Sequence, residues 1–187
     1  MSYQPGIRPA STEFFVSPYS HSGYLQLFPS IASAPASAAY PAATRAHYYP
    51  IVIRHPCIVY RFFWVNGATA ATDDIQVGIY NDNDAGTDGP GTSFLLGTRT
   101  IAAGANACQF DNVTDTAIYP GRYWLAIWAE GTANNTLFRC APTATLTRAH
   151  NGYLESSLAS GLPATATPAQ NTTPYVPVFG FTTIASP

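Results

Sequence analysis

Two short runs decide the fold of this chain: Ile75-Gln-Val-Gly-Ile-Tyr80 and Gly121-Arg-Tyr-Trp-Leu-Ala-Ile-Trp128. Both are strongly strand-like, and turn-forming loops separate them. Apolar side chains occur on both faces of the predicted strands, so neither face is expected to meet water. The two runs therefore predict strands inside a packed β-sandwich, and they say more about architecture than about activity.

Further strand-like runs follow at short intervals from His47 onward, the most hydrophobic at residues 57–65. Residues 47–54 contain Pro50, which confines that run to a sheet edge or to the beginning of a strand. Residues 141–173 read as loop because of their prolines, and a last strand is expected at residues 175–182. About eight short strands without a convincing helix predict an all-β fold, a single antiparallel, jelly-roll-like β-sandwich.

Residues 1–45 differ in composition from the rest of the chain. This difference predicts an extended N-terminal arm, followed by a β-sandwich domain over residues 46–187. Proline, alanine and serine dominate the arm, yet aromatic side chains are spaced along it, which a plain linker would not carry. Ordering so long a segment requires a surface, either its own sandwich or a neighbouring subunit. The residues predicted to contact a partner are Phe14, Phe15, Tyr19, Tyr24 and Phe28.

Charge is scarce in this chain: only 10% of the residues are charged, and there is no lysine. Soluble monomers normally keep a charged, interspersed surface, so we expect a protein that functions inside an assembly. A neutral secreted domain is the alternative, although the first residues lack the features of a secretory signal. The net charge of −2 and the scattered arginines predict no nucleic-acid partner, and no apolar run is long enough to span a bilayer.

Signatures of catalysis are missing from the sequence. The three cysteines and four histidines combine on paper into a Cys–His pair, but none stands in a recognisable local motif. Cys57, Cys108 and Cys140 lie in strand-like runs and are predicted to be buried, reduced and packed as small hydrophobic residues. Scattered glutamates offer no facing pair for glycoside hydrolysis. The chain is therefore predicted not to be an enzyme and to carry no cofactor.

One loop is a candidate metal site. Asp82, Asp84 and Asp88, with Asn81 and Asn83, place oxygen ligands at alternating positions, as Ca²⁺ accepts. The closing glutamate of a calcium-binding helix-loop-helix is absent. The favoured alternative is a solvated hairpin loop in which these residues supply turn geometry.

The strand at residues 121–128 carries a candidate binding surface. Trp124 and Trp128 share one side of this strand, opposite Tyr123, by the two-residue period. If exposed, the two indoles would form a platform for stacking sugar rings. If buried, one face fills the sandwich core and the other packs beneath the arm or a neighbour. The buried arrangement is favoured, because aromatic residues on a doubly apolar strand usually belong to the core.

The order of these pieces resembles a recurrent type of tailed-bacteriophage structural protein, over roughly residues 40–182. The residues that carry the resemblance are Arg45-Ala-His-Tyr-Tyr-Pro-Ile-Val-Ile-Arg54, Val65-Asn-Gly67, Val77-Gly-Ile-Tyr-Asn-Asp82, Thr114-Asp115, Pro120-Gly-Arg-Tyr-Trp-Leu-Ala126 and Thr136-Leu-Phe-Arg139. The resemblance implies a jelly-roll-like β-sandwich exposed on a virion, as a head decoration (cement) protein or a tail or fibre accessory. It implies no catalytic residue.

Two functions are therefore expected from the sequence. The first is a non-enzymatic capsid decoration protein, assembled in the host cytoplasm, that binds other virion structural proteins through its sandwich and arm. It is expected to form a homo-oligomer, with a trimer among the candidates, and a tail or fibre accessory is its close variant. The second is a carbohydrate-binding module that reads a host receptor through Trp124 and Trp128.

Overall fold

The computed structural model describes residues 36–53, 56–69, 72–83, 89–101, 104–131, 136–140, 152–173 and 175–183, apart from the side chains of Ile101 and Cys140. Within these ranges the chain forms thirteen β-strands and no helix. The strands are β1 (Ala36–Ala39), β2 (Arg45–Ile53), β3 (Cys57–Val65), β4 (Asp74–Asp82), β5 (Pro90–Leu96), β6 (Thr100–Ile101), β7 (Cys108–Ile118), β8 (Gly121–Ala129), β9 (Thr136–Cys140), β10 (Tyr153–Glu155), β11 (Ala169–Gln170), β12 (Val176–Pro177) and β13 (Phe179–Thr182).

The largest sheet, called the main sheet below, has the strand order β11-β10-β2-β8-β4-β5, with β6 pairing the start of β4. β2 and β8 pair antiparallel along their whole length, from Arg45 opposite Ala129 to Ile53 opposite Gly121. β4 flanks β8 on its other side. The two runs that predicted a packed sandwich are thus adjacent strands in the interior of one sheet.

A second layer packs against the main sheet and contains two three-stranded sheets, β13-β3-β7 and β1-β9-β12. Residues 176–182 join these sheets by changing partner at Val178, pairing first with β9 and then with β3. The Val178 amide donates to the Phe138 carbonyl, and its carbonyl accepts from the Val65 amide. The predicted last strand therefore exists, and it bridges two sheets.

The chain passes between the layers at one end of the molecule, where β2 leads into β3 and β7 leads into β8. β2 pairs with β8 in the main sheet, and β3 pairs with β7 in the second layer. Two ribbons are thus folded together across both layers, which is a jelly-roll-like arrangement. The predicted all-β, antiparallel, jelly-roll-like sandwich is confirmed.

Alternate side chains of the two layers meet in the sandwich core, as the two-residue period of strands requires. β8 contributes Leu125, Ile127 and Ala129 to this core. A register shift between Val59 and Arg61 interrupts the β3–β7 pairing, so the inward positions of β3 change from odd to even numbers. The inward residues of the second layer include Val59, Phe62, Trp64, Leu137, Phe179 and Phe181.

The sandwich begins earlier than residue 46. β1 pairs with β9, and Tyr40 is buried in the core, where its hydroxyl donates to the Ile127 carbonyl at 2.9 Å. Residues 36–45 therefore belong to the sandwich, which corrects the predicted boundary after residue 45. The predicted partner-contact residues Phe14, Phe15, Tyr19, Tyr24 and Phe28 lie outside the described residues.

Pro50 lies in a strand that is only partly at an edge. β10 pairs with β2 at residues 46–48, so this half of β2 is interior. No described strand pairs with Pro50 on the side away from β8. The predicted edge position therefore holds for the second half of β2, where the missing proline N–H is tolerated.

Two further predictions are corrected. Residues 153–155 and 169–170 form β10 and β11 within the segment that reads as loop, and strands of two or three residues are too short to show a period. Cys108 is exposed and Cys57 half-buried, so these two cysteines are not buried as predicted. Cys108 lies opposite Val65 in the β3–β7 ladder, on the face that points away from the core.

Candidate functional site

The outward face of the main sheet carries a row of buried aromatic side chains, called the aromatic face below. Its members are Tyr48, Tyr80, Trp124 and Trp128. Trp124 and Trp128 follow the two-residue period of β8 and point away from the sandwich core. Both indoles are 0% exposed. Residues 156–168, the cover segment, pack on this face, and the Tyr153 ring of β10 lies 5.3 Å from the Trp124 ring. Leu158, Leu162 and Ala166 supply the apolar contacts of the cover segment.

Polar groups of side chains on the outward face of the main sheet form hydrogen bonds with the backbone of the cover segment. The Tyr80 hydroxyl donates to the Pro163 carbonyl at 2.6 Å, and Trp128 Nε1 donates to the Leu158 carbonyl at 2.9 Å. The Leu162 amide donates to Gln76 Oε1 at 2.8 Å. Each bond satisfies a backbone group that the loop would otherwise bury without a partner.

Glu155 anchors the far end of the cover segment. Its Oε2 accepts from the Tyr48 hydroxyl at 3.0 Å and from the Thr167 amide at 3.1 Å, and its Oε1 accepts from the Thr167 hydroxyl at 2.9 Å. Burial raises the pKa of Tyr48 and Tyr80 above the ordinary tyrosine value, so both hydroxyls remain proton donors.

Arginine side chains lie over both indole rings. The Arg122 guanidinium lies 4.9 Å from the Trp124 ring centre, and that of Arg99 lies 4.9 Å from the Trp128 ring centre. The predicted sugar-stacking platform at Trp124 and Trp128 is therefore wrong, because a sugar needs an open ring face. The favoured alternative of a buried strand is correct in its burial, but Tyr153 and the cover segment, not the arm or a neighbour as predicted, pack on this face.

Asp82, the first member of the predicted calcium loop, has a structural partner. Its Oδ1 accepts from Trp124 Nε1 at 2.6 Å and lies 3.8 Å from Arg122 Nε. Asp84 and Asp88 lie outside the described residues, so the calcium prediction stays untested. The described part of the chain contains no group of three or more histidine, cysteine, aspartate or glutamate side chains that could hold a metal ion.

A second constellation lies on the inward face of β2, where His47 is completely buried. Three tyrosine rings surround its imidazole. The ring-centre distances are 5.5 Å to Tyr40, 6.5 Å to Tyr49 and 5.9 Å to Tyr175. His47 Nδ1 lies 3.1 Å from Asn171 Nδ2, which is also completely buried.

The hydrogen bonds of Asn171 determine the tautomer of His47. Asn171 Oδ1 accepts from the Thr173 amide at 2.8 Å, which turns the amide nitrogen towards the imidazole. Nδ1 of His47 must then accept, so Nε2 carries the proton, and Nε2 has no hydrogen-bond partner. Burial lowers the pKa of His47 to about 3, and the nearby Arg45 cation adds to the effect. His47 therefore remains neutral, and it is unsuited to act as a base near neutral pH.

A third feature is an apolar tip at the end where the chain changes layers. Val52, Ile58 and Tyr119 lie at this end, called the tip, and are 49%, 42% and 63% exposed. Val52 points outward from the end of β2 in the main sheet, Ile58 points outward from the start of β3 in the second layer, and Tyr119 lies in the turn between β7 and β8. They are three of the four exposed large hydrophobic residues in the described chain, the fourth being Phe110.

Sequence reasoning missed the His47–Asn171 pair and the tip. The signal for His47 was available, because it alternates with Tyr49, Ile51 and Ile53 on the inward side of β2. Asn171 stands in a proline-rich segment without a period, and nothing local links it to a histidine 124 residues away. The tip depends on two turns that only the fold brings together.

Three comparisons with known proteins give no match, whether to a family model, a curated protein or a solved structure. The resemblance to tailed-phage virion proteins therefore stays a prediction. Among the described residues, no helix has the length and hydropathy needed to cross a membrane.

Proposed function

We propose that this protein is a non-enzymatic structural protein of a bacteriophage virion, where it binds other structural subunits as a capsid decoration (cement) protein. The observation that carries the proposal is the apolar tip, where Val52, Ile58 and Tyr119 are exposed at one end of the sandwich. Tyrosine is enriched at the energetic centres of protein interfaces.

The surroundings of the tip support protein contact over recognition of a charged ligand. Among the described neighbours, the exposed residues Pro56, Ala117 and Pro120 are uncharged, and Arg122 is engaged with Asp82 and Trp124. A standard interface buries about 800 Å² on each partner, so the tip would be its centre and the adjoining strands its rim. The scarcity of charge in the whole chain supports the same proposal.

The proposal extends to self-association. A homo-oligomer, with a trimer as one arrangement, would bring several tips onto one partner surface and raise the overall affinity. The N-terminal aromatic residues Phe14, Phe15, Tyr19, Tyr24 and Phe28 are proposed as additional partner contacts. Sedimentation equilibrium of the purified protein tests the oligomeric part separately, and a monomer at micromolar concentration would contradict it.

Quantitative mass spectrometry of particles purified from cells that carry the gene tests the main proposal. We expect the chain in the particles at a copy number that matches a head lattice. A copy number of a few per particle would indicate a tail or fibre accessory instead. Its complete absence from particles, with expression in the same cells, would overturn the virion assignment.

The tip is tested by the double variant Ile58→Ser/Tyr119→Ser, added to particles that lack the chain. Losing two interface residues that each contribute more than about 1.4 kcal/mol should weaken binding by roughly 100-fold. Phe110→Ser is the matched control, since Phe110 is 44% exposed but lies on the outward face of β7, away from the tip. Equal binding by the tip variant and the wild type would eliminate the tip and leave the virion assignment standing.

A further inference from the structure

The buried pair on the inward side of β2 lies where the C-terminal region attaches to the main sheet. Asn171 follows β11, and its amide donates to the Gly152 carbonyl at 2.7 Å, just before β10. Its side chain reaches His47, which lies opposite Leu154 of β10. The pair therefore closes the base of one contiguous stretch, residues 152–173, that contains β10, the cover segment and β11.

We propose that His47 and Asn171 form an acid-sensitive clasp, and that protonation of His47 releases residues 152–173 from the main sheet and uncovers the aromatic face. The inference is independent of the proposed virion function. It rests on the contacts of the two side chains, and on the lack, among the described residues near them, of an acceptor for the second N–H of an imidazolium.

Protonation of His47 would bring two hydrogen-bond donors face to face. An imidazolium carries a proton on Nδ1, which would face the Asn171 Nδ2 hydrogens at the present distance of 3.1 Å. Turning the Asn171 amide over would offer its oxygen to His47, but it would then lose the bond from the Thr173 amide. Either outcome costs one hydrogen bond in a site without water access.

The described groups around the imidazole provide no compensation for its charge. The hydroxyls of Tyr40, Tyr49 and Tyr175 donate to backbone carbonyls of Ile127, Tyr175 and Ala38 respectively. Burial raises the pKa of Tyr40 and Tyr175, so neither offers a phenolate to a cation. Arg45 and Arg139, which lies 5.7 Å from the Tyr175 ring centre, are themselves cations. Charge on His47 is accommodated only by opening the site to water.

The cover segment is suited to local release. Besides the apolar contacts of its three side chains, it is held by individual hydrogen bonds, such as those of the Leu158 amide to the Thr44 carbonyl and the Ala166 amide to the Gly91 carbonyl. The strands at its ends are short, with three residues in β10 and two in β11. Few ladder bonds must therefore break, while β2, β8 and β4 keep their mutual pairing.

Hydrogen exchange measured at pH 7, 6 and 5, corrected for the intrinsic rates, tests the clasp. The opening constant of amides in residues 152–173 should rise between pH 7 and pH 5 by a factor that approaches tenfold per pH unit. Amides of β8 are the internal reference, because their exchange requires the sandwich itself to unfold, so their opening constant should be far smaller than that of residues 152–173 at every pH. A flat opening constant, or an opening constant in residues 152–173 no larger than that of β8, would overturn the proposal.

Two variants assign the effect to the pair. His47→Asn keeps an acceptor for the Asn171 amide but cannot titrate, so the pH dependence of opening should disappear. Asn171→Asp presents a carboxylate that accepts from both Thr173 and a protonated His47, so residues 152–173 should stay closed at pH 5. His21→Asn is the matched control and should leave the wild-type dependence unchanged. A pH dependence that persists in His47→Asn would show that another group drives the opening.

Discussion

At the scale of single residues, the fold changes the chemistry of His47 most. Its lowered pKa, to about 3, has a consequence for the stability of the whole molecule. An unfolded histidine has a pKa of about 6.5. Below that pH, His47 therefore binds a proton in the unfolded state but not in the folded state. Stability contributed by neutral His47 is therefore complete above pH 6.5 and is lost as the pH falls towards 3.

We predict that this single group lowers the free energy of unfolding by about 2 kcal/mol between pH 7 and pH 5. Urea denaturation at both pH values measures the change in the wild type and in His47→Asn, and the difference between the two isolates the histidine. Identical pH dependence in both proteins would show that the folded site tolerates the imidazolium.

Asp82 is a second residue whose role the fold defines, because its Oδ1 accepts from buried Trp124 Nε1 and lies near Arg122 Nε. Removing the acceptor in Asp82→Ala leaves the indole N–H without a partner and should cost about 2 kcal/mol of unfolding free energy. The exposed Asp115 is the control, and Asp115→Ala should change stability by less than about 0.5 kcal/mol. The cost of Asp82→Ala should shrink in a Trp124→Phe background, and an undiminished cost would disprove the bond's importance.

At the scale of elements, the main sheet depends on a cover that is not itself a sheet. Gly78 on β4 shows how closely the cover packs. A Cβ atom at this position would lie 2.7 Å from Leu96 Cδ2 and 3.1 Å from Leu162 Cδ1. Leu162 of the cover segment can therefore lie on the sheet only because β4 has no side chain there.

Gly78→Ala should accordingly displace Leu162 and lower the free energy of unfolding by about 1–3 kcal/mol through overpacking. Gly121→Ala is a milder control, because its Cβ would meet the half-buried Tyr123 ring at 3.3 Å. Thermal unfolding of both variants tests the comparison. A smaller loss for Gly78→Ala than for Gly121→Ala would show that the cover segment adapts.

At the scale of the whole molecule, the N-terminal limit of the sandwich is testable by truncation. A chain of residues 36–187 keeps β1 and Tyr40, whereas a chain of residues 46–187 loses both. Tyr40 is buried, contacts His47 and donates to the Ile127 carbonyl, so its loss leaves a cavity and an unsatisfied acceptor.

We expect the longer truncation to be less stable than residues 36–187 by at least about 3 kcal/mol, the usual cost of deleting a large buried side chain. Urea denaturation of the two purified chains measures the difference. Equal stability would show that the core closes without β1 and Tyr40, and it would restore the boundary after residue 45.

The sequence by itself determined the all-β class and the doubly buried character of β4 and β8, although it predicted about eight strands where the described residues form thirteen. The apolar residues of β4 and β8 fall on both faces, and this period is a local property that survives without knowledge of any partner. For the same reason it predicted that Trp124 and Trp128 would share a side. The sequence did not identify what covers the two indoles, because residues 156–168 show no hydrophobic periodicity and attach to the sheet through individual side-chain hydrogen bonds.

Only the tertiary structure decided which distant residues meet. His47 and Asn171 are 124 positions apart, and Val52, Ile58 and Tyr119 come from two turns that the jelly-roll-like winding places side by side. Such contacts depend on strand order and register, which a local pattern does not specify. The candidate sites therefore depend on how the chain winds, whereas the two layers that carry them follow from the local alternation of apolar residues along the strands.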